Sequence, residues 1–207
     1  MSDQAIARWR ELTEETTTPQ PRSASLAWWG VVLLIATEAT LFAMLVFSYF
    51  YLRWTTKGGW PPDGIDQPGI VRPLVMTAIL IGSGVTVYLG ERAIRRADTL
   101  GLRWGLALGF LGGAAWLGLQ AWDYTEKAKH FAPKTDAYGS LVYTLIGAHA
   151  AHLIVGVLIL GWVLLRAWGG AYDARRHVAV SIAALYWYFV VVVGAVVFFT
   201  VVLSPYA

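Results

Sequence analysis

LAWWGVVLLIATEATLFAMLVFSYFYL, residues 26–52, is an apolar and aromatic run broken near its middle by a single acid, Glu38. A helix rising about 1.5 Å per residue over this length outreaches the roughly 30 Å hydrocarbon core of a bilayer. A charged, unpaired carboxylate at that depth is strongly disfavoured, so intramembrane acids face protein or water and usually serve a function. The run therefore predicts a membrane-spanning helix with a polar feature at its midplane.

The rest of the chain extends that pattern. Of 207 residues, 57% are hydrophobic and only 14% charged, where a soluble domain carries about a quarter charged residues. Apolar runs at 27–52, 71–91, 102–122, 141–166 and 178–203 give five spans. Four would strand an apolar run in a loop, and six would need residues the chain does not have. The predicted fold class is all-α, a polytopic bundle of five transmembrane helices in residues 27–207. Residues 1–26 form an N-terminal arm, with a short helix over 3–14 and a flexible Thr16–Pro21 stretch. That arm lacks the short apolar core of a cleaved signal peptide, so the first span is expected to direct insertion.

Charge sets an expected orientation. Arg8, Arg10, Arg22, Arg92, Arg95, Arg96, Arg103, Arg166, Arg175 and Arg176 fall on one side of a five-span chain. The other side carries Arg53, Lys57, Arg72, Lys127, Lys129 and Lys134. The positive-inside rule puts the arginine-dense loops and the N-terminus in the cytoplasm and the C-terminus outside, in a bacterial inner membrane. The formal charge of +3 comes from basic residues at helix ends, a pattern that does not suggest a nucleic-acid partner. With no cysteine, thiolate metal sites, iron–sulfur clusters and disulfides are excluded on this chain.

Aromatic residues near the span ends, Trp28, Trp29, Tyr49, Tyr51, Trp104, Trp122, Tyr124 and Tyr206, are expected interface anchors. Trp60, in the Pro- and Gly-rich loop after the first span, is a further candidate. Gly105, Gly109, Gly112 and Gly113 in the third span, with Gly82, Ser83 and Gly84 in the second, predict close helix contact.

Three polar groups are candidates for chemistry: Glu38, the pair His149 and His152, and the segment Gln120-Ala121-Trp122-Asp123-Tyr124. Spacing of i, i+3 puts both imidazoles on one helix face. Counting along the helices brings Glu38 and His152 to similar depth, so the acid and one histidine are expected to share a proton or a hydrogen bond if their helices are neighbours. The alternatives are a protonated structural acid bonded to a carbonyl or lipid headgroup, and histidines that bond between helices without moving protons. Metal binding needs three or four ligands, and few remain. Haem held by two histidines needs them on opposite faces of the ring, whereas His130 and His177 lie near opposite membrane surfaces. A Walker loop, a nucleophile elbow and a binuclear carboxylate set are missing, as are the paired interrupted helices of transporters.

These motifs, in this order, resemble subunit III of the haem-copper oxidases in its short five-helix form, and most of all the cytochrome c oxidase branch. Ala36-Thr37-Glu38-Ala39-Thr40-Leu41-Phe42 is similar to the family's Ser-Glu-x-x-Phe-Phe run, and Gly59-Trp60-Pro61-Pro62-Asp63-Gly64-Ile65 to its Trp-Pro-Pro-x-Gly-Ile loop. Ser83-Gly84-Val85 matches the second span, and Gln120 to Tyr124 is similar to Gln-x-x-Glu-Tyr with Asp123 in place of glutamate. Gly147-Ala148-His149-Ala150-Ala151-His152 with Gly156 is similar to Gly-x-His-Gly-x-His-x-x-x-Gly. Tyr186-Trp187-Tyr188-Phe189-Val190-Val191 stands where the family has Tyr-Trp-His-Phe-Val-Asp. Here Tyr188 and Val191 replace a histidine and an aspartate, and Gly194 replaces a tryptophan.

The resemblance implies a V-shaped helical bundle with phospholipid in its cleft. It implies a non-catalytic subunit docked on oxidase subunit I, which carries the haems and copper, with subunit II and other members of the complex nearby. No cofactor is expected on this chain. Glu38, His149 and His152 would tune protonation and lipid headgroup binding, sustaining proton uptake and protecting subunit I during oxygen reduction to water. Trp60, Pro61, Pro62, Gly64, Gln120, Asp123, Tyr186 and Trp187 would be structural. Accessory subunits of quinol oxidases or nitric oxide reductases, and an independent proton-coupled carrier, remain as alternatives.

Overall fold

Close helix approach organises the bundle, and glycine makes it possible. In a computed structural model, residues 26–56, 59–62, 69–127 and 137–206 are described. The helices are α1 (Leu26–Thr55), α2 (Val71–Ile94), α3 (Thr99–Lys127), α4 (Ala137–Trp168) and α5 (Val178–Phe198). After α5 the chain widens through a π-helical turn, Phe199–Leu203, and then tightens into a 3₁₀ turn, Ser204–Tyr206. All five helices are long and apolar enough to cross a membrane, which fits a solvent in which every backbone N–H and C=O must be bonded within its own segment. The expected N-terminal arm, Gly64 and His130 lie outside the described residues.

Helices α1 to α4 overrun the apolar runs, most at α3 and α4, whereas α5 stops at Phe198 and the rest of its run forms the π-helical turn. Apolarity marks only the part in hydrocarbon, whereas caps decide where helical bonding stops. Asp98 is the clearest case: its Oδ1 accepts the Gly101 N–H at 2.8 Å, so α3 starts at Thr99. The turn before it is tight, with Ala97 at a φ of 61°.

Helices α2 and α3 form an antiparallel hairpin. A Cβ placed on Gly105 would lie 2.5 Å from Gly90 Cα, and one on Gly112 2.7 Å from Ser83 Cβ. The expected small-residue face is therefore real on α3. On α2 it is narrower, because Gly82 has nothing within 4 Å of its missing Cβ. Helix α5 closes the bundle with Trp187, which is fully buried and donates its Nε1–H to Ser83 Oγ at 3.2 Å. The indole lies against Gly113 of α3 and Gly156 of α4, where any side chain would collide with it. One ring thus fills the space where four helices meet.

α1 stands off from this body and leans chiefly on α4 and α5. Glu38, Phe42 and Tyr49 make ring or hydrogen-bond contacts with them, and Arg53 reaches the Ser204 carbonyl in the turn beyond α5. Leu33, Met44, Phe47 and Trp54 face outward.

The two ends of the bundle differ in what holds them. At the Trp60 end, Arg72 meets Asp123 at 3.2 Å and lies over the Trp122 ring. Tyr49, expected as an interface anchor, is instead fully buried. Its hydroxyl accepts the Trp60 Nε1–H at 2.9 Å and lies 3.4 Å from Ser204 Oγ, while Arg53 donates to the Ser204 carbonyl at 2.7 Å. Trp60 also meets Tyr138 edge to face, and Pro61 is buried beside Pro62. Trp60 is therefore packed inside a knot of α1, α4 and the C-terminal turns. At the arginine-rich end, Arg103 donates to the Ala167 carbonyl at 3.1 Å and covers Trp168. Asp173 accepts the backbone N–H groups of Arg176 and Arg175, which hold its carboxyl below the usual range.

Two substitutions on α3 separate packing from propensity. Gly105→Leu should abolish assembly or sharply lower the thermal midpoint, because backbone atoms of α2 block the side chain. Gly118→Ala faces open space and should be neutral or stabilising by up to about 1 kcal/mol. A thermal unfolding series on both variants checks the contrast, and equal behaviour would remove the close-approach argument.

Candidate functional site: a carboxyl–imidazole pair at mid-span

Glu38 sits on α1 and His152 on α4, and the side chains meet: Oε2 lies 2.8 Å from Nε2. Antiparallel neighbours bring residues near each helix's middle to one depth, as the counting predicts. The second ring nitrogen decides the chemistry. His152 Nδ1 is 2.7 Å from the Ala148 carbonyl one turn back on its own helix, and a carbonyl only accepts. Nδ1 therefore carries hydrogen, and Nε2 of the neutral ring presents a lone pair to Glu38.

Two arrangements satisfy that geometry. A protonated Glu38 donates to neutral His152, or a charged imidazolium donates to the carboxylate. Both place one proton between Oε2 and Nε2, and both leave the pair with no net charge. A second proton has no acceptor between the two atoms, and a pair with none would set a carboxylate against a lone pair. The geometry thus accommodates a single shared proton, and the pair stays neutral in either form.

Surrounding residues fix the ring. Phe42 lies edge to face with His152 at 5.0 Å, and the Tyr186 hydroxyl donates to the His152 carbonyl at 3.3 Å. The Glu38 and His152 side chains keep 27% and 18% of their surface accessible. The pair is thus lateral, reachable from the flank of the bundle rather than locked in its core.

His149 does not join it. The expectation of one shared face fails here: i, i+3 spacing leaves about 60° between the two side chains, and the neighbours fall on either side of that angle. His152 turns to α1, whereas His149 turns inward, 1% exposed, edge to face with Trp116 at 5.2 Å. Gln120 is buried near His149, while Asp123 belongs to the Arg72 contact at the Trp60 end. Among the described residues no three of His, Asp or Glu converge as metal ligands.

A second buried acid escaped the sequence reading. Glu91, 5% exposed, receives Arg95 Nη2 on Oε1 at 2.9 Å and the Tyr188 hydroxyl on Oε2 at 3.0 Å. The i, i+4 spacing of Glu91 and Arg95 is visible in the chain and was the available signal. Tyr188 is not, since it comes from α5. Tyr188, standing where the resemblance puts a histidine, thus links α5 to α2 through Glu91.

Stability should report both acids. Glu38→Gln keeps a donor for Nε2 and should fold nearly as well as the native chain. Glu38→Ala strands the imidazole and should cost about 1–3 kcal/mol, as should Tyr188→Phe at Glu91. Thermal midpoints of the purified complexes decide, and a Gln variant as weak as the Ala variant would argue against the shared proton.

With this geometry in view, comparison with known proteins is direct. A family model described as cytochrome c oxidase subunit III matches residues 4–205. The "Cytochrome c oxidase subunit 3" of Thermostichus vulcanus is 30% identical over 82% of this chain and 83% of its own length. Proteins of the same name from Synechocystis sp. and Corynebacterium diphtheriae are each 33% identical, covering 86% and 83% of this chain and 76% and 85% of theirs. An integral membrane bundle with an acid–histidine pair at mid-span, matched over nearly its whole length, belongs to the cytochrome c oxidase subunit III family.

Proposed function

We propose that this chain is the non-catalytic subunit III of a proton-pumping haem-copper terminal oxidase that takes electrons from cytochrome c. The haems and copper reside in partner subunits, and this chain flanks subunit I, stabilises it, binds phospholipid and supports proton uptake. The observation that carries this reading is the lateral Glu38–His152 pair, which holds one proton at mid-span and is open on the side away from the bundle. A proton store that faced only the chain's own core would serve nothing outside it. The off-standing α1, with outward-facing Leu33, Met44, Phe47 and Trp54, supports contact with lipid or a neighbouring subunit along the same flank.

Orientation is part of the proposal. The loops carrying Arg92, Arg95, Arg96, Arg103, Arg175 and Arg176 lie in the cytoplasm of a bacterium, and the Trp60 end lies outside. The Glu38–His152 pair then sits between the two surfaces, where exchange with subunit I needs no charge to cross hydrocarbon unpaired.

Purification of the native complex provides the test. A haem-bearing partner should co-purify with this chain. In that complex, Glu38→Gln should leave assembly and initial turnover near native levels while activity under sustained turnover decays several-fold faster. Undiminished durability would reduce Glu38 to a structural acid, and a chain that purifies alone as an active carrier would overturn the reading.

A further inference from the structure

His149 is the buried polar side chain that the pair at Glu38 does not use. It is 1% exposed, and neither Nδ1 nor Nε2 has a hydrogen-bond partner among the described residues. A buried imidazole must carry hydrogen on one nitrogen and a lone pair on the other, so both a donor and an acceptor go unmet by protein. Leaving such groups unsatisfied is costly in a bundle whose surroundings offer no water.

The ring borders a half-open pocket of about 60 Å³. Its polar lining comes from three helices: His149 on α4, Gln120 on α3 and Thr77 on α2. Trp116, Met76 and Val201 are among its apolar walls. Thr77 donates its hydroxyl hydrogen to the Pro73 carbonyl at 2.8 Å, so its oxygen is left as an acceptor. The π-helical turn after α5 contributes Val201, and such turns recur where a helix bends around a functional feature.

Gly194 supports the same picture. A Cβ there would lie 2.6 Å from Leu80 Cδ2 and 3.0 Å from His149 Nε2. The glycine, which stands where the resemblance puts a tryptophan, is what lets the imidazole occupy the middle of the bundle. Sequence and packing together have set a hydrogen-bonding ring beside a small space lined by two other polar groups.

We propose that this pocket is a water site, in which bound water hydrogen-bonds His149 and bridges it to Gln120 and Thr77. The volume suits a small number of waters, each of which needs about 10–15 Å³ and two to four polar partners. His149, Gln120 and Thr77 supply those partners from three different helices, so the water ties α2, α3 and α4 together at the depth of His149. Because His149 precedes His152 by about one turn of α4, the site lies near the depth of the Glu38–His152 pair. The inference rests on the bundle's geometry and is independent of the proposed role in the oxidase.

Radiolytic footprinting of the native complex in ¹⁸O-labelled water tests it, since a buried side chain is oxidised rapidly only where water sits beside it. Trp116, 6% exposed beside the pocket, should take up label about tenfold faster than Trp187, which is fully buried and does not line it. His149→Phe fills the space and removes its donor and acceptor, and should bring Trp116 down to the Trp187 rate. Should that variant fail to assemble, the double variant Gln120→Leu with Thr77→Val is read the same way. Trp116 as unreactive as Trp187 in the native complex would overturn the proposal. So would unchanged Trp116 labelling in either variant, because water would then not depend on these groups.

Discussion

Everything in this bundle depends on the indole of Trp187 reaching the place where four helices meet. Lipid offers no hydrophobic driving force between helices, so association rests on close van der Waals contact and hydrogen bonds. Trp187 supplies both. Its ring lies against the bare backbones of Gly113 and Gly156, and its Nε1–H finds Ser83 Oγ. With α2 to α5 fixed by that contact and by the Gly90–Gly105 crossing, the interior has room for one inward polar ring, His149, and no more than a small polar space around it.

The rigid body in turn makes the Glu38–His152 pair possible. A proton shared between a carboxyl and an imidazole requires their separation to be held within hydrogen-bond range, although α1 touches the body along one edge. The Tyr49–Trp60–Ser204 knot and the Arg53 contact pin the far end of α1, and Phe42 steadies the ring itself. The near half of α1 is left to its surroundings. This division gives a firm anchor with a lateral acid.

Buried charge is handled by one rule in two places. Glu38 is matched by an imidazole that shares its proton, and Glu91 by a guanidinium and a phenol that hold both its oxygens. In each case the partner of opposite character comes within reach and the site as a whole stays neutral. Tyr188 joins α5 to α2 through Glu91, a polar link between helices at a position where the resemblance puts a histidine.

The apolar runs, the glycine spacing on α3 and the ordered motifs were legible in the chain itself, because a bilayer demands self-bonded helices of fixed length and a close crossing demands small residues. Matching depth even foretold that Glu38 could meet a histidine. Which histidine was decided by tertiary packing: the 60° between His149 and His152 acquires meaning only when α1 lies on one side and the body on the other. The burial of Tyr49, the union of Glu91 with Tyr188, and the need for glycine at 194 were equally invisible in one dimension. Each joins residues far apart in sequence, and local pattern carries no information about which helix faces which.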